Sequence, residues 1–115
     1  MLKPLNEAHC RAAIATGEFG TELLSAAPAV AIVMTQTWCP QWVWMRRYLD
    51  RLPEAPGRVI YFIEYDREAF FEDFMSFKEQ VFGNHEIPYV RYYRNGAFYR
   101  EGNYIDESGF LRLLG

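Results

Sequence analysis

Trp38-Cys39-Pro40-Gln41-Trp42 is the stretch on which the fold turns. It follows a short apolar run, Ala29 to Met34. It precedes a segment, Trp42 to Leu52, whose apolar residues recur at helical spacing. A strand therefore delivers Cys39 to the start of a helix. Pro40 suits the first helical turn, because its fixed φ is helix-compatible and its missing N–H would be unpaired there anyway. A thiol at that point lies near free backbone N–H groups and the positive end of the helix dipole, surroundings that suit a nucleophilic cysteine. A second cysteine at position 42 would set two sulfurs one helical turn apart. Trp42 stands there instead. The place of a nucleophile is filled and the place of a resolving thiol is not.

Composition bounds the rest. With 115 residues the chain has the size of one compact domain, 1–115, in which 1–28 reads as a helical N-terminal part and 29–115 as the core. Hydrophobic residues make up 50% of the chain, which supplies a core, and its nine Phe and eight Tyr argue against disorder. The net charge is −3 with both signs interspersed, so no basic stripe tracks a nucleic-acid backbone. Arg46-Arg47 reads as a solvated helix face. Residues 1–20 contain no apolar signal region, and the run Ala26 to Met34 is too short to span a bilayer. The expectation is a soluble, cytoplasmic protein with no membrane attachment. Cys10 and Cys39 make no disulfide framework and fit a reducing compartment. Together with His9 and His85 they have no zinc-type spacing, so no metal is expected.

Taken in order, Asn6 caps a helix through Glu7 to Ile14, with Gly17 as its stop. A second helical piece, about Thr21 to Ala26, ends before Pro28. Cys10 reads as a packing residue and His9 as surface. Ala29 to Met34 is a buried strand. The helix from Pro40 sets Trp42, Met45, Leu49 and Leu52 on one face. Val59 to Ile63 is a second buried strand. Asp66 is expected to cap a helix whose apolar face is Phe70, Phe74, Phe77 and Val81. After Gly83-Asn84 come Ile87-Pro88 and a strand, Tyr89 to Arg94. Asn95-Gly96 makes the turn to an antiparallel return strand, Ala97 to Glu101, because both central residues of a type I′ turn need φ > 0. Gly102 marks a bulge or the end of pairing. Asp106 caps a last helix with Phe110, Leu111 and Leu114 turned inward.

At this point the chain resembles the thioredoxin-like superfamily. The residues that carry the resemblance, over roughly Ala29 to the C-terminus, are the apolar strand before Trp38-Cys39-Pro40-Gln41-Trp42, the Ile87-Pro88 step, the Asn95-Gly96 hairpin, Gly102 and the amphipathic last helix. The resemblance implies an α/β fold, a thioredoxin-like three-layer α/β/α sandwich. Its mixed central sheet would have about four strands flanked by helices, with an N-terminal helical extension. It implies that Cys39 is the attacking cysteine, that Trp38 is the aromatic residue before it, and that Pro88 follows a cis peptide bond opposite Cys39. Ile87 would offer backbone groups to an extended peptide or to glutathione, and Gly102 would let a ligand approach. Trp38, Pro40, Gln41, Trp42, Ile87 and Pro88 are the expected substrate-binding residues.

The departures from the pattern are informative. Trp42 replaces the second cysteine, so no disulfide forms within the motif. Val33 stands where thioredoxins carry a buried Asp, the proton acceptor for that second cysteine. Monothiol glutaredoxins keep one cysteine but usually within Cys-Gly-Phe-Ser, so no iron–sulfur cluster is assigned, and no cofactor is expected beyond an external thiol such as glutathione.

Two functions are compatible with these residues. In the first, Cys39 carries thiol–disulfide exchange or redox sensing. It forms a mixed disulfide with a thiol- or disulfide-bearing protein or with a low-molecular-weight thiol, an oxidoreductase activity without an internal dithiol. In the second, the surface of Trp38, Trp42 and Pro88 is a non-catalytic binding module. Trp42 has two readings of its own: partner contact, or packing into the interior of the first helical turn. His85 is either a modulator of Cys39 or a solvated loop histidine. An inert buried thiol is the alternative for Cys39.

Overall fold

Every residue of strand β2, Ala29–Thr35, is buried, and the other elements are arranged on its two sides. The computed structural model describes residues 2–115. In chain order the elements are β1 (Leu2–Pro4), α1 (Glu7–Thr16), α2 (Thr21–Leu24), β2, α3 (Pro40–Arg51), β3 (Arg58–Glu64), α4 (Phe71–Gln80), β4 (Tyr89–Arg94), β5 (Ala97–Gly102) and α5 (Glu107–Leu114). The sheet has five strands in the order β1-β3-β2-β4-β5. β2 runs parallel to β3, with Val33 opposite Phe62. It runs antiparallel to β4, with Val33 opposite Val90. The helical crossover through α3 accounts for the parallel relation between β2 and β3, and the tight turn after β4 for the antiparallel pairing of β4 with β5.

Side chains alternate across a strand, and β2 divides the core accordingly. Val30, Ile32 and Met34 join Cys10 and Ala13 of α1 and Phe74 and Phe77 of α4. Ala29, Ala31 and Val33 join Trp42, Met45 and Leu49 of α3 and Phe110 and Leu114 of α5. Helices thus cover both faces of a mixed sheet, which makes the three-layer α/β/α arrangement.

The fold has one strand more than expected. β1 is only three residues long, Lys3 and Pro4 are exposed, and no alternation marks it. It exists because β3 offers a free parallel edge, where Leu2, Lys3 and Pro4 sit opposite Ile60, Tyr61 and Phe62. The N-terminal part is therefore a strand followed by helices. Its first helix is capped as expected: Asn6 Oδ1 accepts from the His9 N–H at 2.7 Å, and His9 Nδ1 accepts from the Asn6 N–H at 3.2 Å. His9 is half of the cap rather than plain surface. Gly17 ends the helix at φ 92°, a conformation that favours glycine.

Two helix expectations need correcting. Asp66 caps nothing. It lies in a short 3-10 turn, Tyr65–Arg67, and α4 begins five residues later. Val81 is the C-cap of α4 and is 55% exposed, so it does not continue the buried face of Phe70, Phe74 and Phe77. The hairpin agrees with the Asn95-Gly96 reading, with φ 51° and 81° at the two residues. Gly102 ends the pairing, and the bulge lies elsewhere. Tyr92 pairs with Arg100 and Tyr93 with Phe98, so Tyr99 is the extra residue.

Candidate active site

The site is built where β2 ends and α3 begins. Gln36 and Thr37 bridge the two, and Asp66 ties them down. Its Oδ1 accepts from the Thr37 N–H at 2.9 Å and its Oδ2 from Thr37 Oγ1 at 2.6 Å. Gln36 donates to Tyr65 Oη at 3.3 Å and accepts from Trp38 Nε1 at 2.7 Å, which holds an otherwise exposed indole in place. Cys39 is the N-cap residue of α3, extended at φ −74° and ψ 119°, and Pro40 follows as the first helical residue. The Cys39 backbone carbonyl accepts the first helical bond, from Val43. Its side chain leaves that role empty and donates instead to the Ile87 carbonyl, with Sγ 3.7 Å away. Cys39 is 5% exposed.

Ile87 and Pro88 reach this point from the loop between α4 and β4, and the peptide bond between them is cis. Asn103, just after β5, donates from Nδ2 to the Pro88 carbonyl at 3.0 Å. Cysteine, Ile87 carbonyl and buried proline thus meet at one end of the sheet, although the cysteine and the proline are far apart in the chain.

Solved structures with the same architecture belong to thioredoxins and glutaredoxins. A mutant thioredoxin from Halobacterium salinarum superposes with a TM-score of 0.66, covering 97% of this chain and 88% of that one at 15% identity. Oxidised thioredoxin O2 from Arabidopsis thaliana gives 0.65, covering 99% and 95% at 16% identity. Reduced glutaredoxin C1 from Populus tremula x tremuloides gives 0.55, covering 94% and 86% at 20% identity. The chain has the thioredoxin fold. No family model matches the sequence, and no curated protein matches it.

Within this thioredoxin fold, Trp42 is an interior residue. It is 1% exposed and stacks on Phe62 with ring centroids 5.9 Å apart. Its Nε1 donates to Glu64 Oε2 at 2.8 Å. That corrects the expectation of Trp42 as a binding surface: the indole fills the first-turn interior, beside Val33 in the same core cluster. Glu64 is in turn paired with Arg46 at 3.2 Å and Arg67 at 3.7 Å. A carboxylate supplied from β3 thus answers the indole N–H, with two cations to balance its charge.

The aromatic rim lies elsewhere on the same helix start. Trp38 is 66% exposed and Trp44 52%, and Trp44 meets the Tyr104 ring edge-on at 6.2 Å. Trp44 and Tyr104 were not expected at the site. Trp44 belongs to the exposed face of α3, one turn beyond Gln41, and that spacing was the legible signal. Pro40 and Gln41 are exposed beside Cys39, and Pro88 is buried beneath it. A groove of about 240 Å³ opens on the other side, lined by Thr37, Trp42, Val43, Arg46, Arg47 and Glu64 among others.

His85 turns away. Its Nδ1 lies 3.6 Å from Glu79 Oε1 and its side chain is exposed. Gly102 meets no side chain where a Cβ would project, so nothing inside the fold demands glycine there. Cys10 packs on the opposite face of the sheet from Cys39. Burial, then the nearby Glu68 and Glu7 carboxylates, push its thiol up to about 12. It is a packing residue and cannot reach Cys39 to resolve a disulfide. Among the described residues no three His, Cys, Asp or Glu converge as metal ligands, and no helix is long and apolar enough to cross a membrane.

Proposed function

We propose that the protein is a monothiol thiol–disulfide exchange protein acting through Cys39. The deprotonated Cys39 sulfur attacks one sulfur of a disulfide, R–S–S–R′. A Cys39–S–S–R bond forms, the R–S–S–R′ bond breaks, and R′–S⁻ leaves with the electron pair. An external thiol such as glutathione then attacks the mixed disulfide and releases Cys39. The observation that carries this reading is the approach of Sγ to the Ile87 carbonyl at the start of α3. In that position the sulfur sits beside a backbone edge able to align an extended disulfide. Trp42 removes any internal resolving step, and Cys10 lies across the sheet.

The enzyme reading is tested by mass spectrometry of the Cys10→Ser protein after incubation with oxidised glutathione. The expected product is the folded chain plus one glutathione on Cys39, released again by reduced glutathione. A folded protein that takes up none, while the urea-unfolded chain does, refutes it. A second reading, a non-catalytic binding module, is favoured by the low exposure of Cys39 next in sequence to the exposed Trp38, with Trp44 and Tyr104 forming a further exposed aromatic pair. Capture of the same partner by Cys39→Ser and by the parent protein, with loss of capture in Trp38→Ala, would support that reading.

A further inference from the structure

Lys78 continues the row that starts at the N-cap Phe70 and runs through Phe74 of α4, where a leucine would continue the core. It is completely buried. An ammonium group taken out of water is costly unless it is well bonded, and desolvation correspondingly lowers its affinity for the proton. Its Nζ donates to the Asn84 carbonyl at 2.8 Å and lies 5.7 Å from the centre of the Tyr89 ring.

Asn84 links this cation to the loop before β4. Its Oδ1 accepts from the Glu86 N–H at 3.0 Å and from Asn103 Nδ2 at 3.1 Å, and its Nδ2 donates to Asn103 Oδ1 at 3.1 Å. The same Asn103 Nδ2 donates to the Pro88 carbonyl at 3.0 Å. A continuous polar chain therefore runs from a buried cation in α4, through two paired amides, to the residue that follows Ile87. The segment it crosses, 83–88, has no regular secondary structure to hold it. A leucine at 78 would leave the Asn84 carbonyl without its side-chain partner.

We infer that Lys78, Asn84 and Asn103 are positioning residues that hold the Ile87–Pro88 backbone at the right distance from Cys39. The inference rests on the exchange reading, because its purpose is to align a disulfide bound along Ile87. Small displacements of an aligning group lower rates steeply.

The test uses Asn103→Ala and Asn103→Asp, both at a partly exposed position after β5, with Lys78→Met as a third variant. Asn103→Asp keeps an acceptor for Asn84 Nδ2 but removes the donor to Pro88. The rate of mixed-disulfide formation with oxidised glutathione is expected to fall about tenfold in both Asn103 variants. Iodoacetamide labelling of Cys39, which needs only the sulfur, is expected not to slow. Hydrogen–deuterium exchange across 84–88 is expected to accelerate at least about tenfold in the same variants. Folded variants with wild-type exchange rates and unchanged protection of 84–88 overturn the network. A parent protein that forms no mixed disulfide refutes the exchange reading instead. In that case the protection of 84–88 alone decides the network: unchanged protection overturns it, and lost protection supports it as a device for holding the loop.

Discussion

Trp42→Phe separates packing from hydrogen bonding at the position that sets this motif apart. The substitution keeps an aromatic ring on Phe62 and removes the N–H that Glu64 Oε2 accepts at 2.8 Å. A hydrogen bond to a charged group contributes about 1.5–3 kcal/mol. The Glu64 side chain is only 13% exposed, yet it keeps Arg46 at 3.2 Å and Arg67 at 3.7 Å after the change. The remaining pairing puts the loss near the lower half of the range, at about 2 kcal/mol. With an unfolding entropy of about 2.1 cal/mol/K per residue, a chain of this length loses roughly 8 °C in Tm. Differential scanning calorimetry and urea titration measure it directly. The pairing itself is read from a double-mutant cycle with Glu64→Gln. In that background Trp42→Phe is expected to cost about 1 kcal/mol less, because the acceptor has lost its charge. A Tm change of less than about 1 °C in the single variant, or a cycle with no coupling, would refute the assignment of Trp42 to the interior hydrogen bond.

Three further outcomes follow from the geometry. Arg91 is sandwiched between the rings of Phe82 at 3.9 Å and Phe98 at 4.1 Å and donates to Tyr89, Tyr93 and Glu18. Arg91→Ala is expected to lose about 3–5 kcal/mol in urea titration, and Arg91→Met, which keeps a stem between the rings, at least about 1 kcal/mol less than that. Asp66→Ala removes both anchors of Thr37 and is expected to cost about 1–2 kcal/mol, with faster alkylation of Cys39 as the preceding turn loosens; Asp66→Asn, which keeps one acceptor, should recover part of the loss. At alkaline pH, stability is expected to fall. The folded Cys10 thiol is pushed up from its ordinary 9.0 to about 12 by burial, so its contribution is complete below pH 9 and is lost as pH rises toward 12. Burial raises Tyr48, Tyr92 and Tyr93 as well, which steepens the loss above their ordinary value of 10.0. Urea midpoints that stay level from about pH 8 to 11 would contradict this.

The legible parts of the fold were those whose signal is local. Asn6, Gly17, Asn95-Gly96 and Asp106 each act on a backbone a few residues away, and each does so in the structure; Asp106 Oδ1, for example, accepts from the Gly109 N–H at 2.9 Å. The parts that were missed are those decided by a distant partner. β1 forms on the edge of β3, some sixty positions along the chain, and Asp66 leaves its helix to hold Thr37. Lys78 was not singled out in the sequence, because the loop carbonyl that accounts for its burial comes from Asn84, beyond the helix end.

The sequence by itself determined that a strand carries Cys39 into a Pro40-led helix, that position 42 holds no thiol, and that an Ile-Pro step precedes a hairpin. These are matters of residue identity, helical and strand periods, and turn chemistry. Only the tertiary structure decided which tryptophan is buried and which is exposed, that His85 faces Glu79, and that Cys10 lies across the sheet from Cys39. Those outcomes depend on which side chains converge when five strands and their covering helices close on one another. Periodicity places a residue on a face, and the partner on the other side of that face decides what the residue does there.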